Sequence, residues 1–272
     1  MPAAYAHYRF GCDCIETLPA VLKNACLTHR NLFDFGVHGP DIFFYYDPLS
    51  SNEVNRFGSE LHHKCGRDFF EHCRYAYLGG SDKQAMMAYL LGFLAHFTLD
   101  SSCHGYINHM AETTEYSHNL IESQYEAFLM EIDKIDPLQI DRGILIDPSM
   151  QTAEIISRFF SFTSKQVLKT LKGQQTTLHL FYSPREIKKK VLQTLIDQLG
   201  IKGSFGDLFL DADAIPACRE MCEEIQRMQS HALSIYPFLA MNLTAYLTGR
   251  ADLEEYFLHD FEGNVLEPQR GV

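Results

Sequence analysis

The stretch Gly92-Phe-Leu-Ala-His96-Phe-Thr-Leu-Asp100-Ser-Ser-Cys-His104 decides how this chain is read, together with His118-Asn-Leu-Ile-Glu122 shortly after it. His96, Asp100 and His104 recur every four residues. On a helix of about 3.6 residues per turn they stack along one face. His118 and Glu122 repeat that spacing. Imidazole nitrogen and carboxylate oxygen are the groups zinc takes at roughly 2.0–2.2 Å, so five such side chains on two neighbouring helical segments predict the wall of a metal site. The competing reading is a solvated polar face. Leu90, Leu91, Phe93, Leu94, Ala95 and Phe97 around His96 oppose it. A helix apolar nearly all round is buried, and buried histidines and carboxylates need partners. Gly92, four residues before His96, leaves the stripe open to a ligand or to another backbone.

At 272 residues and 46% hydrophobic, the chain can bury a large core. No linker, repeat or low-complexity tract divides it, so one domain over 1–272 is expected. A net charge of −12 argues against a dedicated nucleic-acid binder. The one basic run, Arg185 to Lys190, reads as a solvated helix face. The N-terminus lacks a basic region followed by an apolar one, and no window reaches about 18 uninterrupted apolar residues. A cytoplasmic location is therefore expected, with the eight cysteines as reduced thiols. Cys12-x-Cys14 and Cys218-x₃-Cys222 lack second pairs at zinc-finger spacing and read as ordinary thiols.

In chain order, His7 stands just before a helical pattern (Ile15, Leu18, Val21, Leu22, Ala25) that ends near Asn31. The breaker-rich loop Phe35–Asp41 follows. Taken alone, Asp41 reads as a turn or N-cap residue. A pattern over 53–77 carries His62 and His63, which point about 100° apart, so one of them at most faces a given site. His62 shares the apolar stripe of Cys65, Phe69 and Cys73 and is the candidate. Ser81 or Asp82 caps a helix that runs to about Ile107 with the central triplet. A second helix, about 115–133, carries His118 and Glu122, and His109 lies between the two as a further candidate. Further helical patterns cover about 150–172, 184–199 and 214–248, the last with a possible break near Pro237. Asp211 or Asp213 reads as an N-cap. His29, His72, His179, His231 and His259 lack matching companions. Strand signals are scarce, and the expected class is all-α and multi-helical, with a metal cleft.

Together these residues resemble the zinc-dependent phospholipase C family, which shares its helical fold with single-strand nucleases. The resemblance rests on Ala6-His7-Tyr8-Arg9-Phe10-Gly11, Pro40-Asp41, Leu61-His62-His63, Gly92-x₃-His96-x₃-Asp100-x₃-His104 and His118-x₃-Glu122. It covers roughly residues 1–130. It implies up to three zinc ions in one cleft. Asp41, His62, His96 and Asp100 would hold one, and His104, His118 and Glu122 a second. Asp100 would bridge to a third, completed by His7 and the N-terminal amine. Here the chain starts Met-Pro, so that amine would be Pro2 after loss of Met1. The short spacing from Asp100 to His104 departs from the secreted phospholipases. It is similar to the glycosylphosphatidylinositol-specific enzymes and related bacterial proteins.

The chemistry expected from such a site is hydrolysis of a phosphodiester, phospholipid by resemblance. Zinc lowers the pKa of coordinated water towards about 7 and stabilises charge on the leaving group. Asp41 is the candidate to orient or deprotonate that water. Two other readings use the same ligands: a single-strand nuclease, and a non-catalytic helical protein stabilised by closed metal coordination. A di-iron bundle expects paired Glu-x₂-His motifs, which this chain lacks.

Overall fold

A computed structural model describes residues 4–182 and 215–266, with 188, 190–192 and 194 between them. The helix expected at about 184–199 and the Arg185–Lys190 run fall largely outside these residues. The expected cap at Asp211 or Asp213 and the Pro2 amine fall wholly outside them. The described residues are helical and hold no strand, only an isolated bridge between His259 and Val265.

The first helical pattern divides into three. Helix α1 spans Ala4–Thr17, α2 spans Ala20–Thr28 and α3 spans Arg30–Gly36. Pro19, which fixes its own φ and lacks an N–H, stands at the N-cap of α2 and separates it from α1. His7 therefore lies in the first turns of a helix, not ahead of one. A 3₁₀ helix, Gly39–Tyr45, replaces the expected loop around Asp41. The 53–77 pattern also divides, into α4 (Glu53–His62) and α5 (Gly66–Gly79).

Helix α6, Lys83–Thr113, is the axis of the molecule. Asp82 caps it by accepting from the Ala85 amide at 3.0 Å, and it continues beyond the expected end at Ile107. Every residue from Ala85 to Asp100 is buried, because α1, α2, α3 and a long C-terminal helix all pack on it. Gly92 is open to a backbone rather than a ligand: a Cβ there would stand 2.2 Å from Phe33 O and 3.0 Å from Gly36 Cα. Two glycines thus bring α3 and α6 into close contact.

Helix α7 spans His118–Ile132, α8 Met150–Ile156 and α9 Ser164–Phe181. The last helix, α10, spans Arg219–Leu247 and passes through Pro237 without a break. Its buried stripe of Ala232, Tyr236, Leu239, Ala240 and Leu243 packs on α6, and Tyr236 Oη donates to Leu91 O at 3.0 Å. This tertiary packing offsets the hydrogen bond that Pro237 removes. Among the described residues, most of the buried apolar side chains form one cluster, from Ala4 to Phe261. No helix among the described residues is long and apolar enough to cross a membrane. All eight cysteines are free, and seven of them are buried.

Candidate metal centre

Five elements deliver the candidate donors to one region. Helix α6 supplies His96, Asp100 and His104 from one face, as their spacing requires. His7 comes from α1, Asp41 from the 3₁₀ helix, His62 from the last residue of α4, and His118 and Glu122 from the start of α7. Ser117 fixes that start by accepting from the Leu120 amide at 3.1 Å. Buried Glu126 fixes the start of α1. Its Oε1 accepts from the amides of Tyr5 and Ala6, and its Oε2 accepts from Arg142 Nη1 at 2.6 Å. A carboxylate at that position also complements the positive end of the helix.

The donors gather into three groups, each with its ligand atoms within 4.8 Å of one another: His7, His96 and Asp100; Asp41, His62 and His96; His104, His118 and Glu122. His62 Nε2 lies 3.0 Å from Asp41 Oδ1, and His7 Nε2 lies 3.4 Å from Asp100 Oδ1. Glu122 Oε1 lies 3.4 Å from His104 Nε2 and 3.3 Å from His118 Nε2. His96 belongs to two groups. Asp100 joins the first to the third, since its Oδ1 is also 3.7 Å from His104 Nε2. All eight side chains are buried except His118, which is 31% exposed.

The outer ring nitrogens determine which nitrogen faces inward. His62 Nδ1 lies 2.7 Å from Gly58 O, and His96 Nδ1 lies 3.2 Å from Val37 O. A carbonyl only accepts, so in a neutral ring each Nδ1 carries the proton and each Nε2 turns a lone pair inward. His96 Nε2 then faces Asp100 Oδ2 at 2.9 Å with no hydrogen bond between them. A lone pair opposed to a buried carboxylate is repulsive unless a proton or a cation is shared between them. Together with the mixed nitrogen and oxygen donor set, this makes the residues fit zinc.

The electrostatics match. Burial raises the Asp100 carboxyl, but His104, His96 and His7 together hold it well below the usual carboxylate range. Burial lowers His104, yet Asp100, Glu122 and Glu262 carry it up to about 10. His7 is pushed down to about 4, first by burial and then by His96.

Residues 6–177 match the sequence model of the family described as zinc dependent phospholipase C. The chain belongs to the zinc-dependent phospholipase C family. The match extends through most of α9, beyond the part in which the motifs carry the resemblance. It leaves out α10 and the C-terminal segment. Neither curated proteins nor solved structures gave a match. Membership together with the three donor groups indicates a zinc-dependent, phospholipase C-like hydrolase role.

The phospholipase C motif leaves His62 and His63 open, and the fold separates them. His62 is buried in the centre, while His63 is the exposed C-cap residue of α4. The stripe of His62, Cys65, Phe69 and Cys73 is not continuous, since α4 ends at His62. His62 is buried by Phe44 and Phe261 instead. His72 and His109 are exposed, and His179 pairs with Asp141 at 2.6 Å.

Two residues near the centre escape sequence reasoning. His38 is 3% exposed, its Nε2 has no hydrogen-bond partner, and burial with His7 and His96 holds its pKa down to about 3. Glu262 approaches His104 Nδ1 at 3.9 Å from the far end of the chain. The breaker-rich loop was a signal for His38. For Glu262 there was none.

Proposed function

We propose that this protein is a zinc-dependent phosphodiester hydrolase of phospholipase C type, acting on a phospholipid or a related phosphodiester. The observation that supports it most is His96, whose buried Nε2 belongs to two donor groups and faces Asp100 without a hydrogen bond. Closely spaced sites sharing side chains suit in-line attack on phosphate. Asp41, His62, His96 and Asp100 would hold one zinc ion, His104, His118 and Glu122 a second, and His7 with Asp100 a third, because the single inward lone pair of His96 serves one ion while the two oxygens of Asp100 can serve two. Zinc supplies Lewis acidity, acidifying water and offsetting charge on the phosphate.

The chain's own residues do the rest. The outer carbonyls hold the His62 and His96 rings so that neither rotates away from the cluster. Burial excludes bulk water and strengthens each charge interaction. Asp41 is the catalytic carboxylate in this reading. Burial raises its pKa, but in the metal-free chain His62, when protonated and 3.0 Å from Oδ1, holds it with His96 well below the usual range. Such a carboxylate stays ionised and orients a water O–H. The same continuous core supports reading 1–272 as one domain.

A closed, structural metal cluster is the second reading, and the depth of the donors favours it. Only His118 opens to solvent. Zinc content per chain, measured with hydrolysis of p-nitrophenyl-phosphorylcholine before and after chelation, separates the two. Zinc near three per chain with chelator-sensitive turnover, lost in His104→Ala, supports the hydrolase. Bound zinc without turnover on this ester, lecithin or single-stranded nucleic acid supports the structural reading.

A further inference from the structure

We infer that Glu262 is a positioning residue for the third donor group, fixing the ring orientation and tautomer of His104 directly and of His118 through Asn108. The inference rests on reading His104, His118 and Glu122 as zinc ligands. It extends that reading to a residue outside the family-matched span of 6–177.

The geometry around His104 has two sides. Its Nε2 faces inward, 3.4 Å from Glu122 and 3.7 Å from Asp100. Its Nδ1, on the opposite side of the ring, is buried and has no hydrogen-bond partner, and Glu262 Oε2 is the carboxylate oxygen facing it at 3.9 Å. A proton held on Nδ1 towards that carboxylate leaves the Nε2 lone pair for an ion. Closing the 3.9 Å gap to hydrogen-bond distance would complete the carboxylate–histidine–metal arrangement that second partners of metal sites adopt.

The same oxygen governs His118. Asn108, one turn after His104 on α6, donates from Nδ2 to Glu262 Oε2. That fixes the amide with Oδ1 turned to His118 Nδ1, 2.8 Å away. An amide oxygen only accepts, so His118 Nδ1 is the donor and its Nε2 faces Glu122 with a free lone pair. One carboxylate therefore stands behind both rings.

The segment that carries Glu262 is held firmly enough to do this. Buried Asp260 accepts from the amides of Glu262 at 3.0 Å and Asn264 at 2.8 Å. The Phe261 amide donates to His62 O at 3.1 Å, and its buried ring packs against His62 and His96. Gly263, at φ +84°, lets the turn close on α6, where a Cβ would stand 2.8 Å from Ser101 O. The chain's last described turn is thus clamped onto the donors of two other groups as well.

The test uses the full chain and zinc alone, in competition with a chromophoric chelator, alongside the visible spectrum of the cobalt-substituted protein. Glu262→Gln keeps the shape and removes the charge; Glu262→Ala removes the acceptor of the Asn108 bond as well as the charge facing His104. Exposed Glu255→Gln on the same segment is the control. The expected result is about a 10–100-fold weaker affinity for one ion per chain, a changed cobalt spectrum, and a larger loss in Glu262→Ala than in Glu262→Gln, with Glu255→Gln unchanged. Wild type that binds zinc alongside Glu262 variants of identical affinity and spectrum overturns the inference alone. Wild type that binds no zinc overturns the underlying reading, and the inference with it.

Discussion

Gly39 lies flat against the His96 imidazole: a Cβ at Gly39 would stand 2.2 Å from His96 Cδ2 and 2.7 Å from Nε2. Gly39 is also at φ +49°, where a side chain costs about 1–2 kcal/mol. The 3₁₀ helix that brings Asp41 into the centre therefore starts where only glycine fits. Gly39→Ala is expected to displace the ring shared by two donor groups. Zinc content should fall, and the melting temperature with it; a variant with wild-type zinc content would refute the placement of His96.

A second close approach tests the fold apart from the metal. Gly92→Ala forces a methyl against the Phe33 carbonyl and spreads α3 from α6. Overpacking of this kind costs about 1–3 kcal/mol. Urea denaturation of metal-free protein should show a lower midpoint, and Gly79→Ala, where a Cβ meets nothing within 4 Å, should not lower it.

Glu126 and Arg142 form an ion pair with side chains 0% and 4% exposed. Arg142→Met would leave the Glu126 charge buried without its cation, at a cost of about 3–5 kcal/mol. Adding Glu126→Gln to Arg142→Met should recover part of the loss, since the uncompensated charge is then gone. A double-mutant cycle by chemical denaturation checks this. Strict additivity of the two changes would show that the pair is not coupled.

His38 makes metal-free protein acid-sensitive. Its pKa is about 3 in the folded chain against an ordinary 6.5. The folded state thus binds fewer protons than the unfolded state between these values. His38 costs no stability above pH 6.5, and stability is lost as pH falls through about 6.5 towards 3. Denaturation at pH 7 and pH 5 should show a smaller acid loss for His38→Gln than for wild type. An equal loss would mean that His38 is not buried in its neutral form.

The sequence alone determined that α6 is a buried helix carrying a face of candidate donors. Apolar residues all round His96 and a four-residue spacing leave no other way to arrange His96, Asp100 and His104, because helical periodicity is local. His118 and Glu122 follow from the same rule one element later. Asp41 and His7 were legible only through the family resemblance, since each taken alone reads as a turn or terminal residue.

Tertiary structure decided what local rules cannot reach. Pro19 divides the first helical pattern although the apolar spacing runs through it, and α10 continues through Pro237 because packing on α6 compensates for the missing hydrogen bond. His62 is distinguished from His63 by where α4 stops and by Phe261, about two hundred residues away in sequence. Glu126, Arg142 and Glu262 carry no local signal at all. Their roles depend on the charges and amides they meet after folding, and contacts over such separations leave no spacing to read. The sequence set the donors along each helix; only the packed chain brought them, and the groups behind them, to the same place.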